Sequence, residues 1–144
     1  MNTVQIGDIG EAFAIAKFTK AGFTVSNPIA NNARYDLIVD INNRLYRVQV
    51  KTLQKVTEEV KMEFYTKTTN YTKGKWKSNR YTDSEIEMLF LYCLENDWCG
   101  LYLVEGECPS QITVRLSPPK NNQKIGINMA EDFEFNTQIN ALVA

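Results

Sequence analysis

The sequence predicts a mixed α/β fold in which one long helix packs on a central mixed β-sheet. From Ile6 to Ala21, apolar residues recur every three or four positions, which is typical of an amphipathic helix. Two segments that flank Asn42-Asn43 alternate polar and apolar residues, and Met88 to Leu94 is continuously apolar, which are patterns of half-buried and fully buried strands. The length of 144 residues and the apolar fraction of 44% suit one domain over residues 1–144.

The predicted first helix covers Ile6 to Ala21, and Gly22 is a natural stop because the residue after a helix often needs a positive φ. The residues expected to face the sheet are Ile9, Ala12, Phe13 and Ala16. Glu11 lies early in this predicted helix. It is either an acid placed favourably at a helix N-terminus or a carboxylate directed at a metal site, where Gly7 and Gly10 would let a phosphate approach the backbone.

The segments 34–40 and 47–51 predict a hairpin, with Asn42-Asn43 as the turn. Side chains on a strand alternate between faces, so Asp36 shares one face of the first strand with Ile38 and Asp40. The residues that share a face of the second strand are Arg47, Gln49 and Lys51. The opposite faces are apolar and predict core. A carboxylate, an amide and an ammonium on one wall are costly unless they meet water, a metal or a ligand.

The remaining chain predicts a short strand at Phe23–Ser26 and further strands at Val60–Thr66, Met88–Leu94, Trp98–Val104 and Gln111–Leu116. A buried helix through Phe90 is the alternative for Met88–Leu94. Residues 126–144 are the least regular, with Phe133 and Phe135 as apolar anchors. The last apolar residues, Ile139, Leu142 and Val143, predict a terminal amphipathic turn or an oligomer contact.

Residues 67–82 predict an irregular loop that contacts nucleic acid. The net charge is −1, but between Phe64 and Thr82 there are five basic residues and no acid, whereas acids outnumber bases after Thr82. Basic residues neutralise phosphates, and the aromatics Tyr71, Trp76 and Tyr81 can pack on sugars or bases. The candidate contacts are Arg34, Lys67, Tyr71, Lys73, Lys75, Trp76, Lys77 and Arg80. A solvated lysine-rich loop is the alternative.

The residue inventory excludes several classes of protein. Histidine is absent, which excludes nucleases and hydrolases that use His as a base or metal ligand. Three cysteines without a C-x-x-C motif predict buried free thiols. The chain has no membrane-length apolar run, signal-peptide pattern or glycine-rich nucleotide loop, so we expect a cytoplasmic protein with no membrane association and no nucleotide cofactor.

Asp36, followed thirteen residues later by Gln49-Val50-Lys51, resembles the D…(D/E)-x-K signature of the PD-(D/E)XK nucleases. Glu11, in Gly7-Asp8-Ile9-Gly10-Glu11, matches the acid that these enzymes usually carry on a preceding helix. The segments GDIGEA, YDLIVD and RVQVKT are most similar to cyanobacterial intron-encoded homing endonucleases of this fold. Gln49 stands where these enzymes usually carry an acid, although some members also have a glutamine at this position.

The resemblance implies a restriction-endonuclease-like core and a magnesium site, with Mn²⁺ as a substitute. Asp36 would bind the metal through its carboxylate, Gln49 through its amide oxygen and Val50 through its backbone carbonyl. Glu11 would bind a second metal or orient a water, and Lys51 would orient or help to deprotonate the attacking water.

The implied substrate is double-stranded DNA, cut at a specific sequence. Cutting both strands requires two sites or two binding events, so a small chain with one site is expected to form a dimer or tetramer. A restriction enzyme or a Holliday-junction resolvase on the same core is an alternative, as is a nucleic-acid-binding module that has lost catalysis.

Overall fold

The computed structural model describes residues 1–123 and 125–144, with the backbone alone for residues 68–70 and 78. Its elements are α1 (Thr3–Lys20), β1 (Thr24–Ser26), β2 (Leu37–Ile41), β3 (Arg44–Leu53), β4 (Lys61–Tyr65), β5 (Thr68–Thr72), β6 (Lys75–Asn79), β7 (Met88–Cys93), β8 (Trp98–Leu103), β9 (Gln111–Arg115), β10 (Asn128–Met129), α2 (Ala130–Phe133) and α3 (Phe135–Val143).

The central sheet has the strand order β1-β2-β3-β7-β8, and only the β3–β7 pair within it is parallel. The mixed α/β fold with a helix on a mixed sheet is therefore confirmed. A second sheet has the order β10-β9-β4, and β5 pairs with β6. Four other predicted strands, which correspond to β1, β4, β8 and β9, are present within two residues of the expected bounds. Val60, however, precedes β4 and is exposed.

The predicted hairpin around Asn42 and Asn43 is present as β2 and β3. Both asparagines have a positive φ, 53° and 68°, as a two-residue hairpin turn requires. Leu37 pairs with Val48, and burial alternates along both strands, so the apolar face lies in the core and the polar face is half-buried. The half-buried face of β3 therefore carries Gln49 and Lys51, and Asp36, next to the first residue of β2, belongs to the same face, as predicted.

The continuously apolar run forms strand β7, and the alternative of a buried helix is wrong. Met88, Phe90 and Tyr92 enter the hydrophobic cluster beneath α1. The intervening residues, Leu89 and Leu91, enter a second cluster on the other face of the sheet. A strand that is covered on both faces needs apolar residues at every position, which explains the absence of alternation.

Helix α1 begins earlier than predicted and buries a different face. Asn2 caps it, so Glu11 lies in the middle of the helix, and its interpretation as an acid placed at a helix N-terminus is wrong. Its buried residues are Gly10, Ala14 and Phe18. Of the four residues expected to face the sheet, Ile9, Ala12 and Ala16 are exposed and Phe13 packs partly against the core. Gly10 lets the helix approach β3 closely, because it has no side chain to meet Thr52.

Residues 67–82 are not an irregular loop, because most of them form the β5–β6 hairpin. Lys73 and Gly74 make its turn, with φ values of 53° and 74°. The segment escaped prediction because polar and aromatic residues follow one another without an apolar face. A hairpin that does not bury one face against a core needs no alternation of apolar residues.

Residues 126–144 add β10, α2 and α3 to the fold. Phe135 and Ile139 are buried in the cluster beneath α1, and Leu142 packs partly against it. The terminal helix α3 therefore packs on the central sheet of the same chain. Phe133 stacks on Tyr102 with ring centroids 6.0 Å apart. The three cysteines are buried free thiols, as predicted. None of the helices in the described part of the chain is long and apolar enough to span a membrane.

Candidate active site

The Asp36 side chain closes the end of the β2–β3 hairpin. Its backbone N–H donates to the Val48 carbonyl over 2.9 Å, and its Oδ2 accepts a hydrogen bond from the Val50 N–H, also over 2.9 Å. Strand pairing with β2 ends here, and the carboxylate replaces the next backbone acceptor. This bond holds the half-buried carboxylate in one orientation beside β3.

The Val50 carbonyl opens on the same side of β3 as the Asp36 carboxylate. In a sheet, the N–H and C=O of one residue point to the same neighbouring strand, and those of the next residue point to the other side. The Val50 N–H points to Asp36, whereas the carbonyls of Arg47 and Leu53 accept from residues beside β7. The hairpin therefore places two oxygen ligands for a metal, the Asp36 carboxylate and the Val50 carbonyl, on the edge of β3 that β2 leaves unpaired.

Glu11 approaches this edge from α1. The helix packs on the sheet face opposite to Gln49 and Lys51, and Gly10, next to Glu11, touches Thr52 of β3. Burial raises the pKa of Glu11, and the negative charges of Asp36 and Asp8 raise it further. Glu11 is thus close enough to Asp36 for the negative charge of Asp36 to disfavour ionisation of Glu11.

Burial shifts the pKa values of Asp36 and Lys51 toward each other. Burial raises the pKa of Asp36, although the Val50 N–H and the positive charge of Lys51 oppose this shift. Burial also lowers the pKa of Lys51; the charge of Asp36 opposes this, whereas the charge of Arg34 adds to it. Both groups are therefore easier to neutralise than in water, which is typical of residues that exchange protons or bind ions.

Lys51 lies against Tyr81, a contact that the sequence did not predict. Its Nζ is 3.4 Å from the Tyr81 Oη and 5.1 Å from the ring centroid. The Tyr81 side chain is only 3% exposed, so the expectation that it packs on nucleic acid is wrong. Arg34, a predicted nucleic-acid contact, lies 4.1 Å from the same ring and donates to Glu85 over 2.8 Å. No sequence spacing signals these contacts.

The other predicted nucleic-acid contacts lie on or beside the β5–β6 hairpin. Tyr71 and Trp76 form a cross-strand pair, with ring centroids 5.1 Å apart, and they are 62% and 73% exposed. Lys75 and Lys77 occupy the opposite face of β6. The remaining predicted contacts are the exposed residues Lys67, Lys73 and Arg80. Arg80 also forms an exposed ion pair with Glu107 at 3.2 Å.

The predicted metal ligands are an all-oxygen set. The described residues contain no group of three or more His, Cys, Asp or Glu side chains arranged around a metal position. The predicted set uses two carboxylates, Glu11 and Asp36, and completes them with the Gln49 amide and the Val50 carbonyl. Gln49 shares the half-buried face of β3 with Lys51. Oxygen donors of this kind suit a hard divalent cation.

Together, this fold and site define a nuclease class. The sequence model of the PD-(D/E)XK endonuclease family matches residues 1–136, so the chain belongs to this family of nucleases. Among solved structures, the chain is similar to a bacterial homing endonuclease, I-Ssp6803I, with a TM-score of 0.79 at 18% identity. The match covers 99% of this chain and 94% of that protein. No curated protein matches the sequence. The predicted family resemblance is confirmed.

Proposed function

We propose that the chain is a magnesium-dependent endonuclease that cuts both strands of DNA at a specific sequence. The observation that carries this proposal is the Asp36 carboxylate, fixed by the Val50 N–H at 2.9 Å beside the Val50 carbonyl, with Lys51 on the same wall of the hairpin. Membership of the PD-(D/E)XK family supports the reaction class. The similar fold of a homing endonuclease supports a role in homing, with residues 1–144 acting as one catalytic domain.

The residues around Asp36 fit a magnesium ion. Asp36, Glu11, Gln49 and Val50 supply only oxygen atoms, and magnesium prefers oxygen ligands while retaining several waters. The half-buried Asp36 has a raised pKa chiefly because its negative charge is poorly solvated, so a cation would stabilise it. When bound, the ion would stabilise the charge of the phosphate and lower the pKa of a bound water. Manganese prefers the same oxygen ligands and is expected to substitute.

The chain's own groups divide the remaining work. The Val50 N–H fixes the orientation of Asp36, so little reorganisation is needed when the site is filled. Lys51 has a pKa below its ordinary value, mainly because of burial. The lowered pKa favours proton exchange with an attacking water, and the protonated side chain is a cation that can contact the phosphate. Glu11 would orient a water or hold a second ion, and Gln49 would contribute a neutral oxygen.

The β5–β6 hairpin is the proposed DNA contact. A two-stranded ribbon fits the major groove, and Lys75 and Lys77 on one face would neutralise phosphates. Tyr71 and Trp76 on the other face offer exposed rings for packing on sugars or bases. One site per chain and two strands to cut favour a dimer or a tetramer. Arg34, held by Glu85 and Tyr81, is assigned to the catalytic region instead.

Cleavage of a plasmid library with a randomised insert tests the proposal. Wild-type protein with magnesium should linearise a fraction of the plasmids, whose ends share a sequence when recovered. Asp36→Asn and Lys51→Ala should each cut at least about 100-fold more slowly. Asp40→Asn, on the same strand face, and the exposed Lys55→Ala are the matched controls and should cut like wild type.

Two further readouts separate the alternatives. Magnesium should raise the melting temperature of wild type but not of Asp36→Asn, because a ligand stabilises only the state that binds it. If wild type binds the library with a steep salt dependence but cuts nothing with magnesium or manganese, the chain is a binding module. Cutting that Asp36→Asn retains in full would contradict the assigned site.

A further inference from the structure

Lys51 has a neutral, buried partner where a carboxylate would be ordinary. Its Nζ donates to the Tyr81 Oη over 3.4 Å and lies near the face of the ring, 5.1 Å from the centroid. Among the described residues it hydrogen-bonds to no carboxylate, including that of Asp36. Burial raises the pKa of Tyr81, so its hydroxyl stays neutral near pH 7. Tyr81 thereby holds Lys51 without an ion pair, so that within the described part of the chain no ion pair offsets the positive charge of Lys51 or the negative charge of Asp36.

Tyr81 is itself immobilised on several sides. Its carbonyl accepts a hydrogen bond from the Cys108 N–H over 2.7 Å, and its ring belongs to the second buried cluster. The guanidinium of Arg34 covers the ring at 4.1 Å. Glu85 holds Arg34 over 2.8 Å and also accepts from the Thr82 N–H over 3.2 Å. A side chain fixed in this way can fix the long, flexible lysine that lies against it.

We propose that Tyr81 is a positioning residue for Lys51, holding the ammonium at the catalytic wall and away from the Asp36 carboxylate. The role of Lys51 in cleavage rests on the proposed function, whereas the positioning contact is a property of the free protein. Tyr81→Phe is the informative variant because it keeps the ring and removes only the hydroxyl. Tyr65→Phe, at an exposed tyrosine on β4, is the matched control.

The first measurement is nuclear magnetic relaxation of lysine side chains in the free protein, without metal or DNA. The signal of Lys51 is assigned by its loss in Lys51→Arg. In wild type its terminal carbon–nitrogen bond should be ordered, and in Tyr81→Phe its order parameter should fall toward that of the exposed Lys55. Tyr65→Phe should leave it unchanged. Urea unfolding of each variant confirms that the fold is retained.

The second measurement is single-turnover cleavage of a duplex recovered from the plasmid library. Tyr81→Phe should reduce the rate constant about tenfold, equivalent to about 1.4 kcal/mol, because a hydrogen bond to a charged group is lost but 3.4 Å is long for such a bond. The dissociation constant for the same duplex with calcium should change less than about twofold, since Tyr81 is only 3% exposed and has little surface to contact DNA.

The outcomes are distinguishable. A more mobile Lys51 together with slower cutting and unchanged binding supports the proposal. If Lys51 is as ordered in Tyr81→Phe as in wild type, the proposal is overturned. It is also overturned if Lys51 is mobile in Tyr81→Phe but this variant cuts DNA at the wild-type rate. If wild type does not cut at all, the proposed function fails, while the loss of order in Tyr81→Phe still establishes the positioning contact.

Discussion

Gly10→Ala should push helix α1 away from the central sheet. A Cβ added at Gly10 would lie 1.8 Å from the Oγ1 of Thr52 and 2.9 Å from its Cβ. Thr52 belongs to β3, whose backbone pairs with β7, so the strand has little freedom to retreat. Gly7 belongs to the same helix, and a Cβ added there meets nothing within 4 Å. The chain thus contains its own control.

The expected magnitude comes from comparing the two alanine variants. Alanine is favoured over glycine inside a helix by about 0.8–1 kcal/mol, and both variants gain this. Only Gly10→Ala adds an overpacking cost, typically about 1–3 kcal/mol. The free energy of unfolding of Gly7→Ala should therefore exceed that of Gly10→Ala by about 1–3 kcal/mol. Gly7→Ala itself should be more stable than wild type.

Urea denaturation of the three proteins measures this difference, provided that the slopes are equal. Thr52→Ala removes the Oγ1 and Cγ2 atoms of Thr52, which lie close to the Cβ added at Gly10. It should therefore recover part of the stability that Gly10→Ala loses when the two substitutions are combined. Cleavage should also fall in Gly10→Ala, because the shift carries Glu11 away from Asp36. Equal stability of Gly7→Ala and Gly10→Ala would refute the close approach of helix and strand.

Three further predictions follow from the charges and burial. Burial raises the pKa of Glu87, but hydrogen bonds from Arg47 outweigh this and hold it below its ordinary value of 4.5. Glu87→Gln should therefore cost about 1 kcal/mol at pH 7. As the pH falls below 4.5, the unfolded state binds more protons than the folded state, so urea unfolding should show the difference between wild type and Glu87→Gln becoming smaller. A difference that stays the same as the pH falls would be inconsistent with the ion pair. The three cysteines should react with a thiol reagent only after unfolding, because they are buried and burial raises the pKa of Cys99 to about 11; rapid labelling of the native protein would contradict this. Replacing Lys75 and Lys77 with alanine should reduce the slope of log K against log salt by up to about 1.8; an unchanged slope would remove the hairpin from the interface.

Sequence alone determined the features that depend on neighbours along the chain. The β2–β3 hairpin was predictable because alternation and an Asn-Asn turn act over a few residues. Asp36 and Lys51 belong to the same hairpin, so their shared wall followed from the period of a strand. The absence of histidine restricted the chemistry to carboxylate, amide and lysine groups. These properties require no knowledge of what packs against them.

Tertiary structure decided the features that depend on distant partners. Apolar residues lie on several sides of α1, so its pattern alone selected the wrong face. The sheet instead buries the face of Gly10, Ala14 and Phe18, where Thr52 leaves no room for a side chain at Gly10. The described side chains of the β5–β6 hairpin, Tyr71 and Trp76 among them, are exposed, so no alternation of apolar residues marks it in the sequence. Tyr81 is thirty residues from Lys51, and no local pattern connects them. Packing brings such groups together through the shape of the whole core, to which each residue contributes only a small part.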